Sequence, residues 1–529
     1  MKKGFTLIEM IGVMVILSIL LTFVLPAVIN YIKKAGDYKD NATKEIIYNA
    51  ANQYMKDNKT YFKKDEKNTY CISLNVLAQE GYLESPITLS SSDEDITSAE
   101  STKTVKIIYD EKFKYELVDE CKGLVNPTPI LYKGLTPVKY DEASNNWVVV
   151  DPKIDEWYNY DAQKWANAVV LGTDVIKHVG DTVAVDGTEA KMMLVWIPRY
   201  EYKYINLGNQ YAGGTQAEPG KIEINFVLKN VKEGSTNEYK VHPAFTFGDQ
   251  EVSGFWVGKF EISHETLSSS TSANNLGCNQ NGCTSDISKL RILPNKPSLR
   301  YNNVSNFFYA IRSIESTNTF GLSNMDTHMM KNSEWGAVAY LSQSKYGKKG
   351  NTSYGNESRK IYPNKSGEYI TGNGDQCSYN NIINNCGIGA STSGSIYGVY
   401  DMSGGAYEYV MGAYGTEKDP VIGDDSGFDA LDFGENGAID LKYYNIYSNI
   451  NDSFSYDGSQ SCNNNICYGH ALSETLNWYY NSSTMVNSLY SWMIRGGNNT
   501  TQNPGIFGFN NIAAYGIYTY STRPVFVLK

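Results

Sequence analysis

The chain opens Lys2-Lys3-Gly4-Phe5-Thr6-Leu7-Ile8-Glu9-Met10 and stays apolar through Val28 and Ile29, with Glu9 the only charge between Phe5 and Asn30. A helix of about 25 such residues is long enough to span a bilayer, and the two lysines before it hold its N-terminus on the cytoplasmic side. A secretory signal would have a shorter apolar region and a small-residue cleavage site, which Pro26-Ala27 imitate only weakly. Neither a signal nor a plain anchor accounts for Glu9. An isolated carboxylate in hydrocarbon costs several kcal/mol and is kept only when something compensates it. Glu9 therefore needs a cationic partner.

The stretch Gly4-Phe5-Thr6-Leu7-Ile8-Glu9 resembles the processing site of type IV prepilins and pseudopilins, and Pro26 stands where that family kinks its helix. The resemblance implies cleavage by a prepilin peptidase after Gly4 and N-methylation of Phe5. It further implies that Glu9 meets the α-ammonium of Phe5 on a neighbouring subunit once helices bundle into a filament. Pairing two charges in low dielectric also sets register, a role for which buried polar groups are well attested. The expected partners are the prepilin peptidase, other pilin subunits and the membrane. The expected location is the cytoplasmic membrane as a single-pass precursor, then the cell surface or pilus.

Beyond the apolar run, Ile32, Ala35, Ile46, Ile47, Ala50 and Tyr54 recur at helical spacing among Lys, Asp and Asn, so one helix is expected from residue 5 to residue 58. Residues 59–124 are expected to form a small head. Leu74-Asn75-Val76-Leu77 leads to a short helix ended by Gly81, and the segments 105–109 and 115–118 alternate as strands. This head resembles that of pilins and pseudopilins of Gram-positive bacteria.

At 529 residues the chain has room for three to four domains. A net charge of −11 disfavours nucleic acid as a partner, and no Lys/Arg run offsets it. The 42 Tyr exceed the 18 Phe, which favours aqueous β-rich surfaces over an oily interior. Eight cysteines fall into the local pairs Cys71 with Cys121, Cys278 with Cys283, Cys377 with Cys386, and Cys462 with Cys467. Beyond a membrane segment they read as disulfides, although sequence does not prove their pairing.

After Asn126-Pro127-Thr128-Pro129, residues 125–175 read as a linker and small β spacer whose aromatics, Trp147, Trp157 and Trp165 with Tyr158 and Tyr160, pack on each other. Residues 176–529 contain apparent strands at 193–200 and 254–261. Helical stripes follow at Val304, Phe307, Phe308, Ile311 and Ile314, and at Trp335, Val338 and Ala339. With Gly398–Val410, Ile494-Arg495-Gly496-Gly497 and Thr522-Arg523-Pro524-Val525 in this order, the segment resembles the formylglycine-generating-enzyme (sulfatase-modifying-factor) family, a branch of the C-type lectin fold. The expected fold is therefore α+β: a long N-terminal pilin helix with a small antiparallel sheet, a β-rich spacer and a large C-type-lectin-like domain.

That family's oxidases use a cysteine pair between the Arg-Gly-Gly and Arg-Pro strands. The interval 498–522 here has none, so thiolate and copper chemistry has no residues to perform it. Gly404-Gly405 before Tyr407-Glu408-Tyr409 lacks the side-chain oxygen of the family's calcium-associated Gly-Asn. Asp419, Asp424, Asp425, Asp429 and Asp432 lack EF-hand spacing and read as a solvated loop. His178, His242, His264, His328 and His470 form no zinc motif, and no P-loop or G-x-S-x-G is present. No catalysis, cofactor or metal is expected.

A ligand-binding face is expected in the last segment. There Trp492, Arg495, Asn498, Asn499, Phe507, Phe509, Asn510, Asn511, Tyr515 and Tyr518 mix aromatic anchors with adaptable amides. The expected function is a minor, tip-located type IV pilin displaying a lectin-like domain toward a glycan or protein ligand. The alternatives are a pseudopilin of a secretion or DNA-uptake system and an enzyme on the lectin-like scaffold.

Overall fold

The structure, a computed structural model, describes residues 7–529 apart from 59–61, 63, 65–67, 91, 93, 99–100, 120, 122, 153–156, 206–218, 268–272, 349–358, 374–386, 417–419, 430–431, 435–436, 449–460 and 463–467. Side chains between residues 7 and 32, and those of 461–462, are described only in part. The chain divides into two compact units, Met1–Asn126 and Pro127–Lys529.

Unit 1 is built on helix α1, Leu7–Asp57, which is roughly 77 Å long at the α-helical rise. Its C-terminal part carries Ile47, Ala50, Ala51, Tyr54 and Met55 on one stripe, all buried. They pack with Tyr70, Ile72, Leu74, Leu77, Val105 and Ile107 of an antiparallel meander and a short helix. The meander is β1 (Thr69–Ser73), β2 (Thr104–Asp110) and β3 (Lys112–Val118), with Cys71 opposite Lys106 and Ile107 opposite Tyr115. Helix α2, Leu74–Gln79, starts where the Ser73 hydroxyl accepts the Val76 N–H at 3.2 Å. It ends before Gly81, whose φ of +73° suits glycine. A disulfide joins Cys71 to Cys121.

Unit 2 holds two large sheets. The first is antiparallel throughout and is formed by β4 (Leu135–Asp141), β5 (Asn146–Val149), β6 (Asn167–Leu171), β7 (Thr182–Val183), β8 (Ala190–Pro198) and β9 (Gly254–Gly258), with β10 (Met325–Met329) and β16 (Pro524–Leu528). Its order is β10-β16-β9-β8-β6-β4-β5-β7, so the C-terminal strand lies in the middle of the chain's earlier strands. Helix α3, Val304–Ser316, and helix α4, Asn332–Ser342, carry the two expected apolar stripes, all buried. The second sheet contains β11 (Tyr407–Gly415), β12 (Asn445–Ser448), β13 (Trp492–Gly496) and β14 (Gly505–Ile512). The short β15 (Tyr520–Thr522) pairs with β11.

The expected separate spacer at 125–175 is not separate. Strands β4, β5 and β6 are members of the eight-stranded sheet, and the unit boundary falls at Asn126. The segment's aromatics do meet one another, Trp157 with Tyr158, Tyr158 with Tyr160 and Tyr160 with Trp165, but they also pack beyond the segment. Trp157 stacks on Trp256 of β9, Trp147 meets Tyr397, and the Trp165 indole N–H donates to the Tyr346 carbonyl at 2.8 Å. Backbone pairing to a long sheet buries more apolar area than a short isolated hairpin can, which is why these strands join it.

The second disulfide joins Cys278 to Cys283. Cys377, Cys386 and Cys467 lie outside the described residues, as does the side chain of Cys462.

Candidate functional site

Among the described residues, the start of α1 exposes large apolar side chains. Ile8 is 80% exposed and Met14 62%, and Met10, Ile11 and Val15 are also exposed. Further along, Tyr31 and Tyr38 are exposed, while the stripe from Ile47 onward is buried. One helix thus has two characters, with its packed end inside unit 1 and its other end presenting large apolar side chains to solvent. Such surface is normally covered by lipid or by another chain. Among the described residues, no helix is long and apolar enough to cross a membrane. Gly4 and Phe5 lie outside the described residues. Glu9 and Pro26 lie within α1, and their side chains are not described.

The expected recognition face in the last segment is not assembled as a surface. Trp492, Arg495, Phe507 and Phe509 are at most 2% exposed. The Trp492 indole N–H donates to the Ile422 carbonyl at 2.6 Å, and its ring stacks on Phe428. Arg495 donates to Asn332 Oδ1 at 3.2 Å and to the carbonyls of Ala471 and Ile506, both at 3.3 Å. Burial pushes its guanidinium down to about 9. Phe507 packs against Trp478 and Tyr479. The amides are turn and loop fasteners: Asn498 Oδ1 accepts the N–H groups of Thr500 and Thr501, Asn499 donates to the Ser366 carbonyl and Asn511 to that of Met485. Asn510 Oδ1 accepts the Asn511 N–H, and only Tyr515 and Tyr518 of the ten are exposed. Strands β13 and β14 are covered on both faces, so side chains that read as adaptable anchors are core.

Gly404 and Gly405 have φ of +71° and +73°, and a Cβ on Gly405 would lie 2.6 Å from Glu261 Oε1. Glu261, Asp401 and Glu408 are fully buried here. Burial pushes Glu261 well above the carboxylate range, Asp401 up to about 6 and Glu408 up to about 7, with Arg523 pulling the last two back. Glu408 accepts two hydrogen bonds from Arg523, at 3.0 and 2.6 Å, and Asp401 accepts the Gly372 N–H. Among the described residues, no three His, Cys, Asp or Glu side chains are grouped as a metal would need. Asp424 and Asp425 form a short 3₁₀ turn, Asp432 Oδ2 accepts the Asp429 N–H, and Asp419 lies outside the described residues.

Sequence reading missed a charged cleft of about 860 Å³ in unit 2. Its floor is the start of α4 with the neighbouring β10. His328 lies between two carboxylates, with Nδ1 3.0 Å from Asp326 and Nε2 3.0 Å from Glu334. Phe247 stacks on the imidazole at 4.8 Å. Burial works against the protonated ring, but the charges and hydrogen bonds of Glu334 and Asp326 prevail and raise its pKa. Burial would raise Asp326, yet His328, Arg312 and the Tyr443 hydroxyl, which donates at 2.6 Å, hold it well below the usual range. Arg312 also pairs with Glu315, and Lys529 reaches Glu315 at 3.0 Å. Lys331 and Lys442 each stand 5.1 Å from the centre of the Phe247 ring. The sequence signal was faint: His328 and Glu334 are six residues apart, and only the passage from β10 into α4 turns both inward.

Residues 1–25 match the family described as Prokaryotic N-terminal methylation motif. No curated protein matches the chain. The motif indicates a type IV pilin-like or pseudopilin-like protein, with prepilin peptidase processing and pilin assembly as its consequences.

Proposed function

We propose that this protein is a minor type IV pilin, carried at or near a filament tip, that displays unit 2 as a non-enzymatic lectin-like domain for adhesion or ligand recognition. The observation that carries this reading is the set of exposed apolar side chains Ile8, Met10, Ile11, Met14 and Val15 at the start of α1, next to a processing motif that would expose a new α-amino group at Phe5. An apolar rod that its own fold leaves uncovered is a helix prepared for a bilayer and then for a bundle of identical rods. In this reading the precursor is a single-pass protein of the cytoplasmic membrane. Cleavage after Gly4 frees the ammonium that neutralises Glu9 of an adjoining subunit. Size supports a rare position, because a unit spanning Pro127–Lys529 is hard to repeat along a tightly packed shaft.

The test is incorporation. Gly4→Lys should block cleavage, and Glu9→Ala should leave the processed protein in the membrane fraction, with either variant missing from sheared filaments. Normal incorporation of both would sink the assembly reading. Wild-type protein found with an envelope secretion or DNA-uptake complex and not in sheared filaments would replace pilus display with the pseudopilin role.

A further inference from the structure

We propose that the cleft at the start of α4 binds an acidic sugar, a hydroxylated ring bearing a single carboxylate, with that carboxylate seated against Lys331. The inference goes beyond the filament assignment, since unit 2 carries the whole cleft.

Lys331 supplies the main argument. Its side chain is 6% exposed and lines the cleft, yet among the described residues its ammonium makes no hydrogen bond and its nearest ion pair is Glu334 at 3.7 Å. Lys442, whose side chain is 29% exposed, also lines the cleft, 3.7 Å from Asp326. The Lys331 side chain is buried while its ammonium keeps open bonding capacity toward the cleft, and an anionic oxygen entering there supplies a charge-assisted acceptor. The neighbouring groups are of the right kind. Lys331 is the N-cap of α4, where Glu334 already accepts its N–H, and Ser333 and Asn445 line the same wall. Asn445 Oδ1 already accepts the Ser333 N–H at 2.9 Å, which leaves its amide NH₂ as a donor.

The rim selects among anions. Asp249 and Asp440 line the mouth and are exposed. Their carboxylates repel a polyanion but accept hydrogen bonds from hydroxyl groups. One negative group at the floor and hydroxyls at the rim describe a carboxylated sugar better than a phosphate or an extended acidic polymer. The volume of about 860 Å³ lies within the range of small-ligand sites.

The experiment is titration calorimetry on the full mature chain in detergent, with sodium glucuronate, sodium N-acetylneuraminate, glucose and inorganic phosphate as probes. The expected result is saturable binding of at least one acidic sugar, about tenfold or more tighter than glucose or phosphate, and about tenfold weaker in Lys331→Gln. Because Lys331 also neighbours Glu334, Ser333→Ala and Lys442→Gln serve as second variants and should each weaken binding with an unchanged circular dichroism spectrum. Failure of both acidic sugars to saturate overturns the proposal. Phosphate binding as tightly as the sugars, or affinity indifferent to all three substitutions, overturns it as well. Filament incorporation of the same variants should be normal, so a failure here leaves the assembly reading standing.

Discussion

Asp40 of α1 holds Ser90 with both oxygens: Oδ1 accepts the Ser90 N–H and Oδ2 its hydroxyl, each at 2.7 Å. The loop carrying Ser90 is thereby fastened to the helix, fifty residues earlier in the chain. The Ser90 hydroxyl and amide lower the Asp40 pKa, so this fastening is present above the ordinary carboxylate range and is lost as pH falls through the folded value. Asp40→Ala should speed hydrogen exchange and proteolysis within residues 84–98 and leave the packing around Ile47 and Tyr54 intact. Unchanged exchange in the loop would show that the contact does not hold it.

Removing the bond between Cys71 and Cys121 should weaken unit 1. The bridge closes a loop of 50 residues, for which chain entropy gives about 4 kcal/mol. The pair of substitutions to Ser, followed by pulse proteolysis across a denaturant series, should move the cleavage midpoint of unit 1 and leave that of unit 2 in place. A midpoint common to both units would contradict their independence.

Acid and base should affect unit 2 unequally. Glu261, Asp401 and Glu408 have raised folded-state pKa values, so their contribution is complete below the unfolded range and is lost as pH rises through the folded values, about 6 for Asp401 and about 7 for Glu408. His328 is likewise raised, and its contribution is complete below the unfolded imidazole value and is lost as pH rises through the folded one. The melting temperature of unit 2 should therefore drop between pH 5 and pH 8. Glu261→Gln, which keeps an acceptor for the Ala406 N–H, should flatten that drop. Stability that is level or rising across the interval contradicts the assignment.

Gly405→Ala should be more damaging than a surface change. Its φ of +73° costs a residue with a Cβ about 1 kcal/mol or more, and the added carbon would lie 2.6 Å from the Glu261 carboxylate. A denaturation midpoint within error of wild type would show that the turn can relax.

His328→Gln tests the cleft floor as structure. It leaves Asp326 and Glu334 buried with one charge partner fewer, a loss of roughly 3 kcal/mol by the cost of breaking a buried pair. Urea unfolding measures it, and a loss below about 1 kcal/mol would mean that Arg312 and Lys331 already suffice.

Periodic apolar patterns were legible because they report local geometry. The rod over Leu7–Asp57, the stripes at Val304–Ile314 and Trp335–Ala339, and the strands near 193–200 and 254–261 each depend on spacing within a short stretch. The recognition face failed because Trp, Phe, Arg and Asn have the same composition whether they cover a ligand or a neighbouring strand. Trp492 and Arg495 became core when Phe428, Asn332 and Ala471, all distant in sequence, closed over them. The spacer failed for the same reason, since Trp157 finds its partner, Trp256, across β9.

By its order of residues alone, this chain determined a charged group in an apolar N-terminal run and the long helix that carries it, because helical period and hydrocarbon solvation are properties of a single segment. Tertiary structure decided which aromatics are inside, where the spacer strands pair, and that Lys331 and Lys442 line one cleft. Those outcomes depend on contacts between residues tens to more than a hundred positions apart, and burial, not residue type, sets what each side chain can do.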